Sequence, residues 1–133
     1  MSAHLDTVRR FLDAARRHDF DAVLGCVTDD IEYYFHMGSK PVLGKEKMRK
    51  FLRNYTAAYE AREQRILHWA EADELLLLEG YEELHDRKLD RIIRQPFMQA
   101  YEFRDGRIAK LRDYYEPANL RPPAASGHAA GPS

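Results

Sequence analysis

Three segments in the first half of the chain place apolar residues three and four positions apart, the spacing of one face of a helix. The first follows Ser2, whose side chain can cap it; the second follows Asp19 and is expected to end near Thr28. Polar residues separate these two segments, so we expect a helical hairpin. The third follows Gly44 and carries the clearest apolar stripe, formed by Met48, Phe51, Leu52, Tyr55 and Tyr59.

Strand-like patterns begin with residues 31–37, IEYYFHM, which are rich in β-branched and aromatic side chains. Alternation there predicts Glu32, Tyr34 and His36 on one face. Further strands are predicted over residues 62–70, 75–85, 92–103 and 108–115, with a hairpin turn at Asp105-Gly106 before the last one. Pro96 is compatible with its strand only at an edge or a bulge.

Three helices interrupted by one strand, followed by an antiparallel meander, predict an α+β domain with helices on one face of a curved sheet. Such a sheet forms a cone whose mouth can hold a small molecule. We assign residues 1–121 to this single domain. Residues 122–133 are rich in Pro, Ala and Gly, and we expect them to be disordered.

Composition narrows the possible partners. The 133 residues contain 21 Lys and Arg against 22 Asp and Glu, a balance that gives no reason to expect a nucleic-acid or membrane partner. The longest apolar run, residues 75–78, is too short to span a bilayer, and no signal-peptide core is present at the amino terminus. A single cysteine, Cys26, allows no internal disulfide. We therefore expect a soluble cytoplasmic protein.

The helical hairpin, the segment GKEKMRKFL and the last strand, FRDGRIAKLRDYYEP, together resemble the NTF2-like superfamily in its SnoaL-like and limonene-epoxide-hydrolase-like branches. The resemblance extends over residues 5–120. It implies a cone-shaped fold of three N-terminal helices on a curved, mixed and mainly antiparallel sheet that encloses a deep apolar pocket. It also implies a small hydrophobic ligand, a homodimer formed through the sheet face, and chemistry without metal or organic cofactor.

The resemblance carries particular residues with it. The catalytic aspartate of the epoxide-hydrolase branch falls on Asp113. The tyrosine and asparagine that hold its attacking water fall on Tyr34 and His36. The Arg-x-Asp pair of that branch falls near Glu83 and His85, so both of its residues are replaced in this chain. The resemblance therefore does not support epoxide hydrolysis by the mechanism of that branch.

From the predicted faces, titratable groups of three strands are expected to meet in the pocket, an arrangement suited to proton transfer. We predict catalytic roles for Asp113, His85, Tyr34 and His36. Each of three residues also has a non-catalytic interpretation. Asp113 can be a structural hydrogen-bond acceptor, His85 can face solvent, and Tyr34 can pack in the core. Contact with the substrate is predicted for Glu83, Tyr81, Leu111, Tyr115, Phe97 and Trp69.

The function expected from these residues is general acid/base catalysis at Asp113 on a small hydrophobic carbonyl compound, as in an isomerase, dehydratase or cyclase. One alternative is a non-catalytic binding module, which a purely apolar pocket and a salt-bridged Asp113 would favour. Another is an epoxide hydrolase with a rearranged triad, which needs an arginine at Asp113, with Arg94 or Arg65 as the candidates.

Overall fold

The computed structural model describes residues 2–122. Its helices are α1 (Ala3–Arg16), α2 (Phe20–Gly25) and α3 (Lys45–Ala58), and a short 3₁₀ helix, Pro117–Leu120, follows the last strand. The strands are β1 (Val27–Tyr34), β2 (Val42–Leu43), β3 (Tyr59–Ala72), β4 (Leu75–Asp86), β5 (Arg91–Arg104) and β6 (Arg107–Tyr114). The sequence predicts that residues 122–133 are disordered. From residue 123 onward, this tail lies outside the described part.

Side-chain caps begin the first two helices, as the sequence predicts. The Ser2 hydroxyl accepts a hydrogen bond from the Leu5 amide at 3.0 Å, and the Asp19 carboxylate accepts one from the Ala22 amide at 3.2 Å. The predicted end of the second helix near Thr28 is wrong. The helix ends at Gly25, and Thr28 is buried in β1.

The strands form one sheet in the order β2-β1-β6-β5-β4-β3. Among the strands of the described residues, β1 and β6 form the one parallel pair, because the chain crosses from one to the other through α3 and the meander; the other pairs are antiparallel. The helices cover one face, which we call the inner face. This arrangement confirms the predicted α+β class and the mixed, mainly antiparallel sheet.

Two local predictions about the strands can be compared with the structure. The first strand begins four residues earlier than predicted and ends at Tyr34, and the short β2 was not predicted.

Pro96 lies opposite Tyr81 of β4, whereas β6 pairs with β5 only from Met98 onward. The proline therefore lies where β5 has a neighbour on one side, which confirms the edge interpretation.

The Asp105-Gly106 turn is confirmed by its backbone, since both residues have positive φ angles, 52° and 79°. Turns of this kind match the right-handed twist of the two strands that they join. The turn sets the register of β5 and β6, in which Gln99 lies opposite Asp113.

The other face of the sheet, the outer face, exposes Leu77, Met98 and Tyr114. Ion pairs surround them, including Arg112 with Glu102 and Arg94 with Glu83. The homodimer expected through this face stays a prediction. Every helix within residues 2–122 is too short or too polar to cross a membrane.

Candidate active site

A cavity of about 140 Å³ lies between the inner face of the sheet and helices α1 and α3. An engineered cavity of similar volume holds a single benzene ring, so the space suits a ligand of about that size. Exposed Arg16 and His18 line its rim, whereas Leu52, Leu84 and Leu111 line its buried part. The rim of the cavity is therefore polar, and much of its buried lining is apolar.

Aromatic rings from β1, the segment after it, α3 and the first residue of β3 form one wall of this cavity. Phe51 of α3 lies 5.3 Å from the Tyr33 ring and 5.0 Å from the Phe35 ring, measured between centroids. The series continues through Tyr55 to Tyr59, whose ring centroids are 5.1 Å apart. Packed rings leave little room for water, and electrostatic interactions are stronger in such a place than in solvent.

Asp113 of β6 points into the cavity and accepts two short hydrogen bonds. The Tyr33 hydroxyl donates to its Oδ2 at 2.6 Å, and Nε2 of Gln99 donates to its Oδ1 at 2.6 Å. The Tyr101 hydroxyl in turn donates to Oε1 of Gln99 at 2.5 Å. Asp113 thus receives hydrogen bonds from two uncharged donors and forms no salt bridge with any residue of 2–122.

A second carboxyl group, Glu82 of β4, lines the same cavity. Nε2 of Gln95 donates to its Oε2 at 2.7 Å, and Nδ2 of Asn119 donates to Oε1 of Gln95 at 3.0 Å. Glu82 therefore repeats the arrangement at Asp113: a glutamine amide donates to the acid and itself accepts from a third residue.

The sheet register explains why the two acids have the same kind of partner. Glu82 lies directly opposite Gln95 on β5, and Asp113 lies directly opposite Gln99 on the other side of that strand. Directly opposite side chains are close enough for such contacts. The two glutamines are four residues apart, roughly 13 Å along the strand, so the two acids lie opposite different positions of β5.

Burial changes the acidity of both groups. It raises the pKa of Asp113 to about 6, although the hydrogen bonds from Tyr33 and Gln99 act in the opposite direction. Burial also raises the pKa of Glu82 to about 7; the Gln95 amide lowers it, and the negative charge of Asp113 raises it further. Near neutral pH, each group can therefore both lose and accept a proton.

Between the acids, the Phe97 ring lies over Gly80. A Cβ atom at Gly80 would lie 2.5 Å from Cζ of Phe97 and 2.8 Å from the Arg65 carbonyl oxygen. Only glycine therefore allows the ring to lie this close to β4. The missing side chain fixes the position of Phe97 in the cavity wall.

Four residues predicted to contribute to the site line this cavity: Asp113, Leu111, Phe97 and Tyr115. Tyr34 and His36 do not. The Tyr34 hydroxyl donates to Glu32 at 3.2 Å, and the His36 ring contacts the Met37 carbonyl oxygen. The predicted inward face of the first strand is wrong by one residue, because Tyr33, not Tyr34, contacts Asp113.

The same one-residue error affects the middle strand, where Glu82 and Leu84 face the cavity and their neighbours do not. Glu83 pairs with Arg94 at 3.0 Å, and His85 contacts Asp90 at 2.8 Å. The Tyr81 ring lies under the Arg65 guanidinium at 4.9 Å, and Trp69 is 44% exposed outside the cavity lining. These contacts do not bring the four side chains together at Asp113.

Sequence reasoning missed Tyr33, Glu82 and the two glutamines. The signal for the glutamines is present in β5, where they alternate in step with buried apolar side chains: Ile93, Phe97, Tyr101 and Phe103. Polar residues on an otherwise apolar strand face indicate a polar cavity or a buried partner. Pairing β5 with β4 in the correct register would then have identified Glu82.

Within residues 2–122, no group of three or more His, Cys, Asp or Glu side chains is arranged to hold a metal ion. Arginine is also scarce here: among the described lining residues only Arg16, at the rim, is one. The candidates Arg94 and Arg65 pair on the outer face, with Glu83 and Glu63 respectively.

Residues 8–111 match the family model described as the SnoaL-like domain. No curated protein is significantly similar to this chain in sequence. Solved structures share the fold. An LEH-like epoxide hydrolase from M. tuberculosis is 24% identical, with a TM-score of 0.75 over 89% of this chain and 86% of that one.

Two further structures are similar at lower sequence identity. A proposed isomerase from Bacillus subtilis is 22% identical, with a TM-score of 0.80 over 89% of each chain. A proposed SnoaL-like polyketide cyclase from Jannaschia sp. CCS1 is 14% identical, with a TM-score of 0.79 over 89% of this chain and 88% of that one. At these identities, the similarity shows the fold.

Proposed function

Because the chain belongs to the SnoaL-like domain family, we propose that it is an enzyme that moves protons on a small uncharged carbonyl compound. The observation that carries the proposal is the pair of acids, Asp113 and Glu82, in one largely apolar cavity, each with a pKa raised towards neutrality. Pairs of acids whose pKa values differ take opposite roles in acid/base catalysis.

Asp113 is the base in this proposal. Its pKa of about 6 leaves most of the group ionised at pH 7, and donors from Tyr33 and Gln99 hold both oxygens in place. A carboxylate in this position can remove a proton from carbon next to a carbonyl group, which leaves an enolate. The surrounding rings limit the access of water that would otherwise compete for the proton.

Glu82 is the acid. Its higher pKa, about 7, keeps a substantial fraction protonated when Asp113 is already ionised. A protonated carboxyl group can donate a hydrogen bond, or the proton itself, to the oxygen on which negative charge develops. The two roles coexist best between pH 6 and 7, the interval between the two pKa values.

The cavity also limits the substrate. Its volume of about 140 Å³ suits a molecule with about one ring. A carboxylate or phosphate on that molecule would lie among two acids, and Arg16 at the rim is the one arginine among the described lining residues, so an uncharged substrate is favoured. Two solved structures with this fold are named as a proposed isomerase and a proposed polyketide cyclase, and both names are consistent with this chemistry.

The contacts give no support to the alternatives. Asp113 forms no salt bridge within the described residues, and the cavity contains a second acid, so the pocket differs from the one expected for a purely binding module. The pairing of Arg94 and Arg65 on the outer face removes the feature that would favour an epoxide hydrolase.

The experiment is deuterium exchange at carbon. The protein is incubated in D₂O at pD 6.5 with cyclohexanone, 3-cyclohexenone and acetophenone, and deuterium incorporation next to the carbonyl group is followed by NMR. We expect exchange above the buffer rate with at least one compound, abolished by Asp113→Asn and slowed roughly 100-fold by Glu82→Gln.

The matched control is Glu83→Gln, which changes the neighbouring acid on the outer face and is expected to keep the wild-type exchange rate. Exchange that survives Asp113→Asn, or a failure of all three compounds to exchange, contradicts the proposal.

A further inference from the structure

Tyr101 is buried in the core, outside the cavity lining, and nevertheless its hydroxyl is connected to the proposed base. It donates to Oε1 of Gln99 at 2.5 Å, and Nε2 of the same amide donates to Asp113 at 2.6 Å. The Tyr101 ring packs edge-on to Phe11, with centroids 6.2 Å apart. The hydroxyl therefore has a role that packing of the ring does not require.

A glutamine amide can face a carboxyl group in two ways. With its N–H₂ towards Asp113 it stabilises the carboxylate; with its carbonyl oxygen towards Asp113 it can only accept a proton from the neutral acid. The buried Gln99 oxygen needs a donor, and the Tyr101 hydroxyl supplies it. Reversing the amide would turn its N–H₂ towards the Tyr101 oxygen, which can accept, and would leave the buried Tyr101 O–H without its acceptor, Oε1 of Gln99.

We propose that Tyr101 is a positioning residue, which locks the Gln99 amide with its N–H₂ towards Asp113 and so keeps this carboxyl group in its ionised, proton-accepting form. The inference rests on the proposed role of Asp113 as the base. The effect of Tyr101 on Asp113 can be measured without any catalysed reaction. The inference about Tyr101 and the proposed role of Asp113 as the base can therefore fail separately.

Other groups near Asp113 also influence its ionisation, and the test has to separate Tyr101 from them. Tyr33 donates directly to the carboxylate. The titratable side chains that interact electrostatically with Asp113 come from β1, α3, β4, β5 and the segment after β6: Tyr33, Tyr55, Glu82, Tyr101 and Tyr115. Arg16 of α1 and His18 line the rim of the same cavity. Tyr101 differs from the rest because its hydrogen bond reaches Asp113 through Gln99.

The experiment measures the pKa of Asp113 by ¹³C NMR of a protein labelled at the aspartate carboxyl carbons, in the wild type and in Tyr101→Phe. The substitution keeps the ring and removes only the hydroxyl. We expect the pKa to rise from about 6 to roughly 7, because the freed amide can turn its oxygen towards the protonated acid.

Two further variants test the path through the amide. In a Gln99→Met background, the pKa is expected to be raised already, and adding Tyr101→Phe should change it no further. Tyr34→Phe removes a tyrosine hydroxyl that donates to Glu32 outside the cavity, and should leave the Asp113 pKa unchanged.

An unchanged pKa in Tyr101→Phe overturns the inference, and so does an equal rise in the presence and absence of Gln99. If the pKa rises as expected but Asp113→Asn leaves deuterium exchange intact, the amide lock stands and the proposed function falls. If Tyr101→Phe leaves the Asp113 pKa unchanged but Asp113→Asn abolishes exchange, the amide lock falls and the proposed function stands.

Discussion

Glu82 and Asp113 lie on strands that flank β5, each directly opposite a glutamine of that strand. One sheet register therefore gives both acids the same amide donor while separating them by four residues along β5. The acids share the cavity but not a partner, and this separation allows one to be ionised while the other is protonated. The predictions that follow depend on this relationship.

Replacing Tyr33 by Phe removes the 2.6 Å hydrogen bond to Asp113 and keeps the ring that packs against Phe51. Because that hydrogen bond lowers the pKa of Asp113, its loss should raise the pKa from about 6 towards roughly 7. The rising limb of the pH dependence of kcat/KM should move to higher pH by the same amount. If kcat/KM falls but its rising limb stays at the same pH, the prediction is contradicted, and Tyr33 affects the site through packing alone.

Stability should fall as pH rises. The folded protein holds the pKa values of Asp113 and Glu82 at about 6 and 7, above their ordinary values of 3.8 and 4.5. The folded state therefore binds more protons than the unfolded state at intermediate pH. Each acid contributes about 3 kcal/mol to the free energy of unfolding. This contribution is fully present below about pH 4 and is lost as pH rises through 6 to 7.

Urea unfolding of the wild type and of Asp113→Asn at pH 5 and pH 8 tests this. The variant should lose less stability between the two pH values, because only Glu82 still contributes. Equal losses in the two proteins would show that Asp113 is not buried as described.

Gly80→Ala should destabilise the protein and disturb the cavity. The new Cβ would meet the Phe97 ring at 2.5 Å and the Arg65 carbonyl oxygen at 2.8 Å, so one of them has to move. We expect a cost of about 2 kcal/mol in thermal unfolding. The control is Gly25→Ala at the end of α2, where nothing lies within 4 Å and stability should stay the same or rise slightly. Equal melting temperatures for the two variants would contradict the close contact at Gly80.

The sequence was sufficient to predict the fold and the position of Asp113. The Asp105-Gly106 turn fixes where the last strand begins, and apolar Leu111 with Tyr115 indicates which face is buried. That much is local information, because turn chemistry and alternation act over a few residues.

The rest of the site depends on strand register, which local patterns leave open. Residues 31–37 have aromatic side chains at odd and even positions, and residues 75–78 are all leucine, so alternation gives no preference for either face. Glu82 and Glu83 differ only in which face they occupy. The pairing with Gln95, a contact across the sheet, decides between them.

The central claim is that two carboxyl groups of one cavity titrate near neutrality, and ¹³C NMR of protein labelled at the aspartate and glutamate carboxyl carbons measures this most directly. Resonances are assigned with Asp113→Asn and Glu82→Gln. We predict that Asp113 titrates with a pKa of about 6 and Glu82 with a pKa of about 7. Two values below 5 would contradict the account, because neither acid could then hold a proton at the pH at which the proposed reaction needs it.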